Sequence, residues 1–91
     1  MPGNTIRVWI PATMRVLAGG QESVEGDGEN VRQLIENLES SCPGIKAALM
    51  NGSSLKPDVA VAVDGQICPL GLLQSLEDAR EVTFIPALGG G

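Results

Sequence analysis

The chain has 91 residues, 11 acids against 6 bases, a net charge of −5 and no histidine. That balance argues against binding a phosphate backbone, which needs clustered Lys and Arg, and the missing histidine removes the commonest general base and the commonest metal ligand together. Apolar residues make up 43 % but the aromatics are only Trp9 and Phe84, so the composition supports one small core built from Leu, Ile and Val.

The chain opens on Met1-Pro2-Gly3-Asn4, which has neither the basic nor the apolar region of a signal peptide. Thr5-Ile6-Arg7-Val8-Trp9-Ile10 alternates strictly and predicts a half-buried strand, with Ile6, Val8 and Ile10 on the core side and Arg7 and Trp9 on the other. Pro11 ends its pairing. Met14-Arg15-Val16-Leu17 leads to a turn at Gly19-Gly20, and Gln21 to Glu25 reads as a weaker strand hairpinned with the first. Gly26-Asp27-Gly28 closes that unit. A clear helix follows: Asn30 is an N-cap and Gln33, three residues on, can return the bond to it as a capping box. Val31, Leu34, Ile35 and Leu38 form one apolar stripe, so the helix packs one side on a sheet and leaves the other wet. Cys42-Pro43-Gly44 stops it.

From Gly44 to Pro57 the pattern is irregular, with a short turn at Ile45 to Leu49 and an exposed loop at Asn51-Gly52-Ser53-Ser54. Asp58-Val59-Ala60-Val61-Ala62-Val63 is the most β-like run, apolar at every strand position, and reads as a central strand covered on both faces. Asp64-Gly65 predicts a type I′ turn, from which Gln66-Ile67-Cys68 returns briefly before Pro69. Leu70 to Leu76 is a short loop or single helical turn. Glu81 to Ile85 is the last strand, with Val82 and Phe84 inward and Thr83 and Ile85 outward.

Two strands, a helix, then two or three strands make an α+β domain, a mixed sheet of four to five strands crossed by one main helix. The first and last strands are expected side by side at the centre, parallel. No apolar run is long enough to cross a bilayer, and a cytoplasmic protein is expected. Cys42 and Cys68 form no CxxC pair and have no neighbouring cluster of Lys or Arg, so both read as reduced thiols, part core and part surface. No P-loop or metal-ligand cluster appears, so no metal or cofactor is expected on the chain itself.

The final stretch, Phe84-Ile85-Pro86-Ala87-Leu88-Gly89-Gly90-Gly91, is unlike the rest. An apolar strand runs through a proline into glycines, which lose more backbone entropy on ordering than any other residue. Residues 1–91 are therefore read as a single domain with a flexible C-terminal tail, 87–91, that is functional. A hairpin, a crossing helix, further strands and such a tail resemble the β-grasp, ubiquitin-like fold. The terminal pattern of apolar strand, Pro86, small or apolar residues and Gly90-Gly91 resembles the MoaD/ThiS-type prokaryotic sulfur carriers. Gly89 stands where Ala or another small residue is usual. Within that family, Ile10-Pro11-Ala12-Thr13-Met14-Arg15 with Gly19-Gly20-Gln21-Glu22-Ser23-Val24 is most similar to the carriers that feed sulfide into cysteine biosynthesis in actinobacteria.

The resemblance implies a protein co-substrate rather than an enzyme. A ubiquitin-activating-like adenylyltransferase would use ATP to adenylate the Gly91 carboxylate, a sulfur donor would displace AMP to leave a thiocarboxylate, and a sulfur-accepting synthase would consume it. An ordinary α-carboxyl has a pKa of roughly 3.3–3.7, so it is ionised and nucleophilic at neutral pH. Gly89, Gly90 and Gly91 carry no Cβ to clash in a narrow channel, and Pro86 aims the tail. Trp9, Pro11, Ile85, Pro86 and Leu88 are the expected partner-binding residues, on the outward parity of the two central strands and the start of the tail. Arg7 and Arg15 are read either as contacts for partner acids or as ordinary surface charges. The small subunit of molybdopterin synthase, a ubiquitin-like modifier joined to lysines, and a plain interaction module with an inert tail are the competing readings.

Overall fold

The computed structural model of the chain describes residues 5–86. β1 (Ile6–Trp9) carries the expected alternation: Ile6 and Val8 are buried, Arg7 is exposed and Trp9 half-buried, and Ile10 beyond the strand is buried too. Pro11 (φ −57°, ψ 147°) then turns the chain into a 3-10 helix over Ala12–Ala18, closed by Gly19 at φ +67°. Nothing in the local pattern foretold this helix, because only Ala18 of its seven residues is buried. It has no apolar stripe for a sequence to reveal. β2 (Ser23–Gly26) returns antiparallel to β1, with Val8 opposite Val24 and Trp9 opposite Ser23.

α1 (Val31–Ser41) begins where the cap predicted, with the Gln33 N–H donating to Asn30 Oδ1 at 2.8 Å. The return bond differs by one residue: Gln33 Oε1 accepts from Glu29 N–H at 2.7 Å rather than from Asn30. The backbone around the cap is drawn instead into a bridge between Asn30 and Ser75, with Val31 N–H donating to Gln74 O at 3.1 Å and Leu76 N–H to Glu29 O at 2.9 Å. Val31, Leu34, Ile35 and Leu38 are all buried. Cys42 ends the helix, and α2 (Ile45–Leu49) follows at once.

Glu39 links the two helices. Its carboxylate accepts from Gly44 N–H at 3.0 Å and from Lys46 N–H at 2.9 Å, serving the first turn of α2. Those two bonds hold its carboxyl below the ordinary 4.5.

The irregular middle contains one small surprise, a hairpin of β3 (Met50–Asn51) and β4 (Ser54–Leu55). The four residues Asn51 to Ser54 are exposed, as the loop reading required. β5 (Val59–Val63) turns into β6 (Gln66–Ile67) through Asp64 and Gly65 at φ +52° and +87°, the left-handed pair that a type I′ turn needs. A single 3-10 turn, Gly71–Leu73, precedes β7 (Glu81–Pro86).

The sheet order is β2-β1-β7-β5-β6. β1 and β7 run parallel and adjacent at the centre, as expected, and the other pairs are antiparallel. One correction concerns β5. It is fourth in the order rather than central, flanked on its outer side only by the two-residue β6, and its second face is covered in part: Ala62 is only 6 % exposed while Ala60 is half-buried. Val61 packs in the core while Ala60 and Ala62 belong to the open side. Both helices cover the inner face, where Ile6, Val8, Ile10, Leu34, Ile35, Leu38, Ile45, Leu49, Val61, Val82 and Phe84 form one cluster. No helix of the described residues is long and apolar enough to cross a membrane.

Candidate functional site

The open sheet face is the surface left when the helices have taken the other. Residues paired across neighbouring strands share a face. Register therefore sets Ser23, Trp9, Thr83, Ala62 and Ile67 in one row across all five strands. One step toward the end of β7 come Ala60 and Ile85; one step away come Glu25, Arg7 and Glu81. The face is thus graded, apolar where β7 ends and charged where it begins. Ile85 is 40 % exposed and Ile67 60 %. Arg7 places its guanidinium 5.8 Å from the centre of the Trp9 ring, which joins the two zones by a cation–π contact and explains why Trp9 is half-buried.

β7 ends at this apolar end. Pro86 lies opposite Val59, the first residue of β5, and a turn closed by Val59 N–H donating to Lys56 O at 3.0 Å leads into that strand. On the other side β1 has stopped at Trp9, level with Thr83. Pro86 also has no N–H for a ladder bond. Neither neighbouring strand pairs beyond this point, so the described sheet ends here on this side.

Of the predicted site residues, Trp9 and Ile85 stand on the open face as expected. Pro86 is half-buried at the root of the tail. Pro11 departs from its expected place: it is buried, because strand parity ends with Ile10 and the chain bends into the 3-10 helix, the Pro11 carbonyl accepting from Met14 N–H at 2.8 Å. Leu88, Gly89, Gly90 and Gly91, with the rest of the tail 87–91, lie outside the described residues. The structure adds Ala60, Ala62, Thr83 and Ile67 to the face. The signal for the two alanines was the Ala alternation of β5, readable only once its register against β7 is known, while Thr83 was already outward by strand parity.

The described residues carry no group of three or more His, Cys, Asp or Glu that could hold a metal ion. Cys42 is a buried free thiol, and Cys68 a half-buried one whose Sγ–H donates to Gln66 O at 3.4 Å. What this surface offers is an apolar patch beside the end of the last strand.

An antiparallel hairpin, a helix laid across the sheet and a last strand parallel to the first and central define the class: this is a ubiquitin-like β-grasp protein. Within that class the chain belongs to the ThiS family, which matches residues 8–91. It is 34 % identical to the sulfur carrier protein CysO of Mycobacterium tuberculosis, covering 94 % of this chain and 98 % of that one. Its structure is similar to a chain of the BexX/CysO complex of Amycolatopsis orientalis (TM-score 0.87, 34 % identity, 94 % of this chain and 99 % of that one). It also resembles SAMP1 of Haloferax volcanii (TM-score 0.79, 97 % and 100 % covered), where 17 % identity speaks for the fold alone.

Proposed function

We propose that the chain is a sulfur carrier whose Gly91 carboxylate is activated and converted to a thiocarboxylate, with cysteine biosynthesis as the pathway served. The observation that carries this reading is the 34 % identity to proteins named sulfur carriers over nearly the whole of both chains, within a family match that includes Gly91. The open apolar face around Trp9 and Ile85 fits the role, since it lies at the end from which β7 hands over its chain.

In this mechanism a partner adenylyltransferase binds the carrier and ATP. A Gly91 carboxylate oxygen attacks the α-phosphorus, pyrophosphate leaves, and an acyl-adenylate forms. A sulfur nucleophile then attacks the acyl carbon, AMP departs, and the thiocarboxylate remains for a synthase to consume. Gly89 and Gly90 let the backbone pass a narrow channel without side-chain clash. The carrier brings no histidine and so no ready general base; the partner supplies proton transfer and charge stabilisation, and the carrier is a cytoplasmic co-substrate rather than an enzyme.

The test is intact mass after incubation with ATP, a sulfide source and the host adenylyltransferase. Exchange of one oxygen for sulfur adds about 16 Da, nearly the mass of methionine oxidation, so the gain must be localised to Gly91 by fragmentation rather than to one of the three methionines. No gain at Gly91, with an enzyme active on another carrier, overturns the reading.

A further inference from the structure

The sequence holds three places where an acid or its amide is followed by glycine: Asp27-Gly28, Asn51-Gly52 and Asp64-Gly65. A following glycine leaves the next backbone nitrogen unshielded, so that nitrogen can reach the side-chain carbonyl carbon and close a five-membered ring. The fold treats the three differently. Asp64 Oδ1 accepts from Arg80 N–H at 3.0 Å and from Glu81 N–H at 2.9 Å, which fixes its carboxylate against the start of β7. Asp27 is fixed through its main chain: Asn37 Nδ2–H donates to Asp27 O at 2.7 Å, and Gly28 is packed so closely on α1 that an added Cβ would fall 2.6 Å from Leu34 N. An ionised carboxylate is also a poorer target for a nucleophile than a neutral amide.

Asn51-Gly52 has none of these restraints. Asn51 is exposed at the end of β3, and Gly52, at φ +71°, opens the two-residue loop to Ser54 with nothing within 4 Å of the place where a Cβ would stand. Among the described residues neither the Asn51 side-chain amide nor the Gly52 N–H has a hydrogen-bond partner. Both residues line an open cleft of about 430 Å³ together with Glu39, Lys46, Ala47 and Met50, so water has access to the pair.

We propose that Asn51-Gly52 is a self-modifying site, at which the chain deamidates and rebuilds its own backbone. Gly52 N bonds to Asn51 Cγ, the Cγ–Nδ2 bond breaks, and the Gly52 amide proton leaves with the side-chain nitrogen as ammonia. The product is a five-membered succinimide, which water then opens. Attack at Cγ restores the ordinary main chain and leaves an aspartate at this position. Attack at the former main-chain carbonyl leaves an isoaspartate, in which the chain runs through Cβ and Cγ. Nothing is oxidised or reduced; one water is gained and one ammonia lost. Either product adds a negative charge to a chain already at −5. Only the isoaspartate lengthens the main chain, by one carbon, within a hairpin held by the pairs Met50 with Leu55 and Asn51 with Ser54. Met50 is 6 % exposed and follows directly on α2, and beyond the hairpin Lys56 N–H donates to Leu49 O at 3.0 Å. The added carbon breaks that register and disturbs the seat of Met50 in the core. The hairpin is a sheet of its own, so the five-stranded sheet and its open face are left as they were.

The experiment incubates the full chain in mildly alkaline buffer, folded and in urea, and follows it by intact mass and peptide mapping, with isoaspartate scored by an isoaspartyl methyltransferase. In the folded chain a gain of about 1 Da appears first at Asn51 and divides between the aspartate and isoaspartate forms. Asn30 and Asn37, followed by Val31 and Leu38, stay unchanged over the same time. Isoaspartate at Asp27 and Asp64 forms roughly tenfold more slowly in the folded chain than in urea. Asn51→Gln, at an exposed position, abolishes the gain, because glutamine would have to close a six-membered ring. The isoaspartate form, separated by chromatography, melts below the parent, while freshly prepared Asn51→Asp melts with it. A folded chain that keeps its mass while the urea sample deamidates at Asn51 overturns the proposal, because the fold then blocks the ring. A first gain at another asparagine, or a gain that persists in Asn51→Gln, overturns it too. Equal isomerisation of Asp64 in folded and urea samples refutes the protection by its two bonds, and an isoaspartate form that melts like the parent refutes the broken register.

Discussion

Replacing Gly28 with alanine should damage the start of α1 out of proportion to one methyl group. A Cβ built on Gly28 falls 2.6 Å from Leu34 N, 2.9 Å from Leu34 Cα and 3.0 Å from Gln33 C, against the 3.4 Å or more of ordinary contact. These are backbone atoms of the helix and cannot rotate aside as a side chain can. Nor can the helix retreat freely. Leu34 N–H donates to Asn30 O at 2.9 Å, the Leu34 side chain is fully buried, and the Asn30 cap is bridged to Ser75. Either the Gly26-Asp27-Gly28 segment moves out or the first turn of α1 loses its cap. Overpacking of this kind costs about 1–3 kcal/mol. A lost cap adds about 1 kcal/mol. For a domain of this size a loss of 2 kcal/mol lowers Tm by roughly 8–16 °C. Thermal and urea denaturation of Gly28→Ala measure it, with Gly52→Asn as a control at a site with φ +71° and no neighbour within 4 Å. If Gly28→Ala melts within about 2 °C of the parent, less than 0.5 kcal/mol, the close packing of this loop on the helix is refuted.

Three further changes separate the elements of the argument. Asp64 holds the start of β7, its Oδ1 accepting from Arg80 N–H at 3.0 Å and Glu81 N–H at 2.9 Å while its own φ is +52°; Asp64→Ala should cost about 1–2 kcal/mol in urea unfolding, and Asp64→Asn, which keeps an acceptor and tolerates that conformation, clearly less. Equal losses in the two would show that the side-chain bonds contribute nothing. Glu39 is held below its ordinary 4.5, so the unfolded chain binds more protons between the two values; its stabilisation is present above pH 4.5 and lost as pH falls through the lower folded value. Glu39→Gln should therefore unfold more readily than the parent above pH 4.5 and converge with it in acid, and a pH-independent difference would contradict the capping role. Ile85→Asp, at a 40 % exposed position of the open face, should leave the melting curve nearly unchanged but lower the rate of thiocarboxylate formation at low carrier concentration by tenfold or more, about the effect of losing a binding hot spot; an unchanged rate would remove this face from the docking surface.

Local pattern carried much of the fold, and the reason is visible residue by residue. Ile6, Val8 and Ile10, and likewise Val82 and Phe84, alternate because one side of their strands meets the core. The Val31-Leu34-Ile35-Leu38 stripe repeats because one side of α1 does. Asn30 and Asp64-Gly65 are signals of short range, set by a few bonds and dihedral angles, and each stood where the chain placed it. The parallel neighbourhood of β1 and β7 was expected from the order of the elements and is what the sheet shows.

Contacts distant in sequence decided the rest. The 3-10 helix buries one residue of seven, so although its own bonds are local it left no periodic trace. Pro11 looked outward by strand parity and is inward because the strand ends before it. The Ala residues of β5 became part of an open face only through their register on β7, with Ala60 against Ile85 and Ala62 against Thr83. The class of chain, its core residues and its unusual glycine end could be read from the sequence, because each depends on residues adjacent or one turn apart. Which side chains share the open face could not, since Trp9, Ala60 and Ile85 come from three strands that only the folded sheet sets side by side.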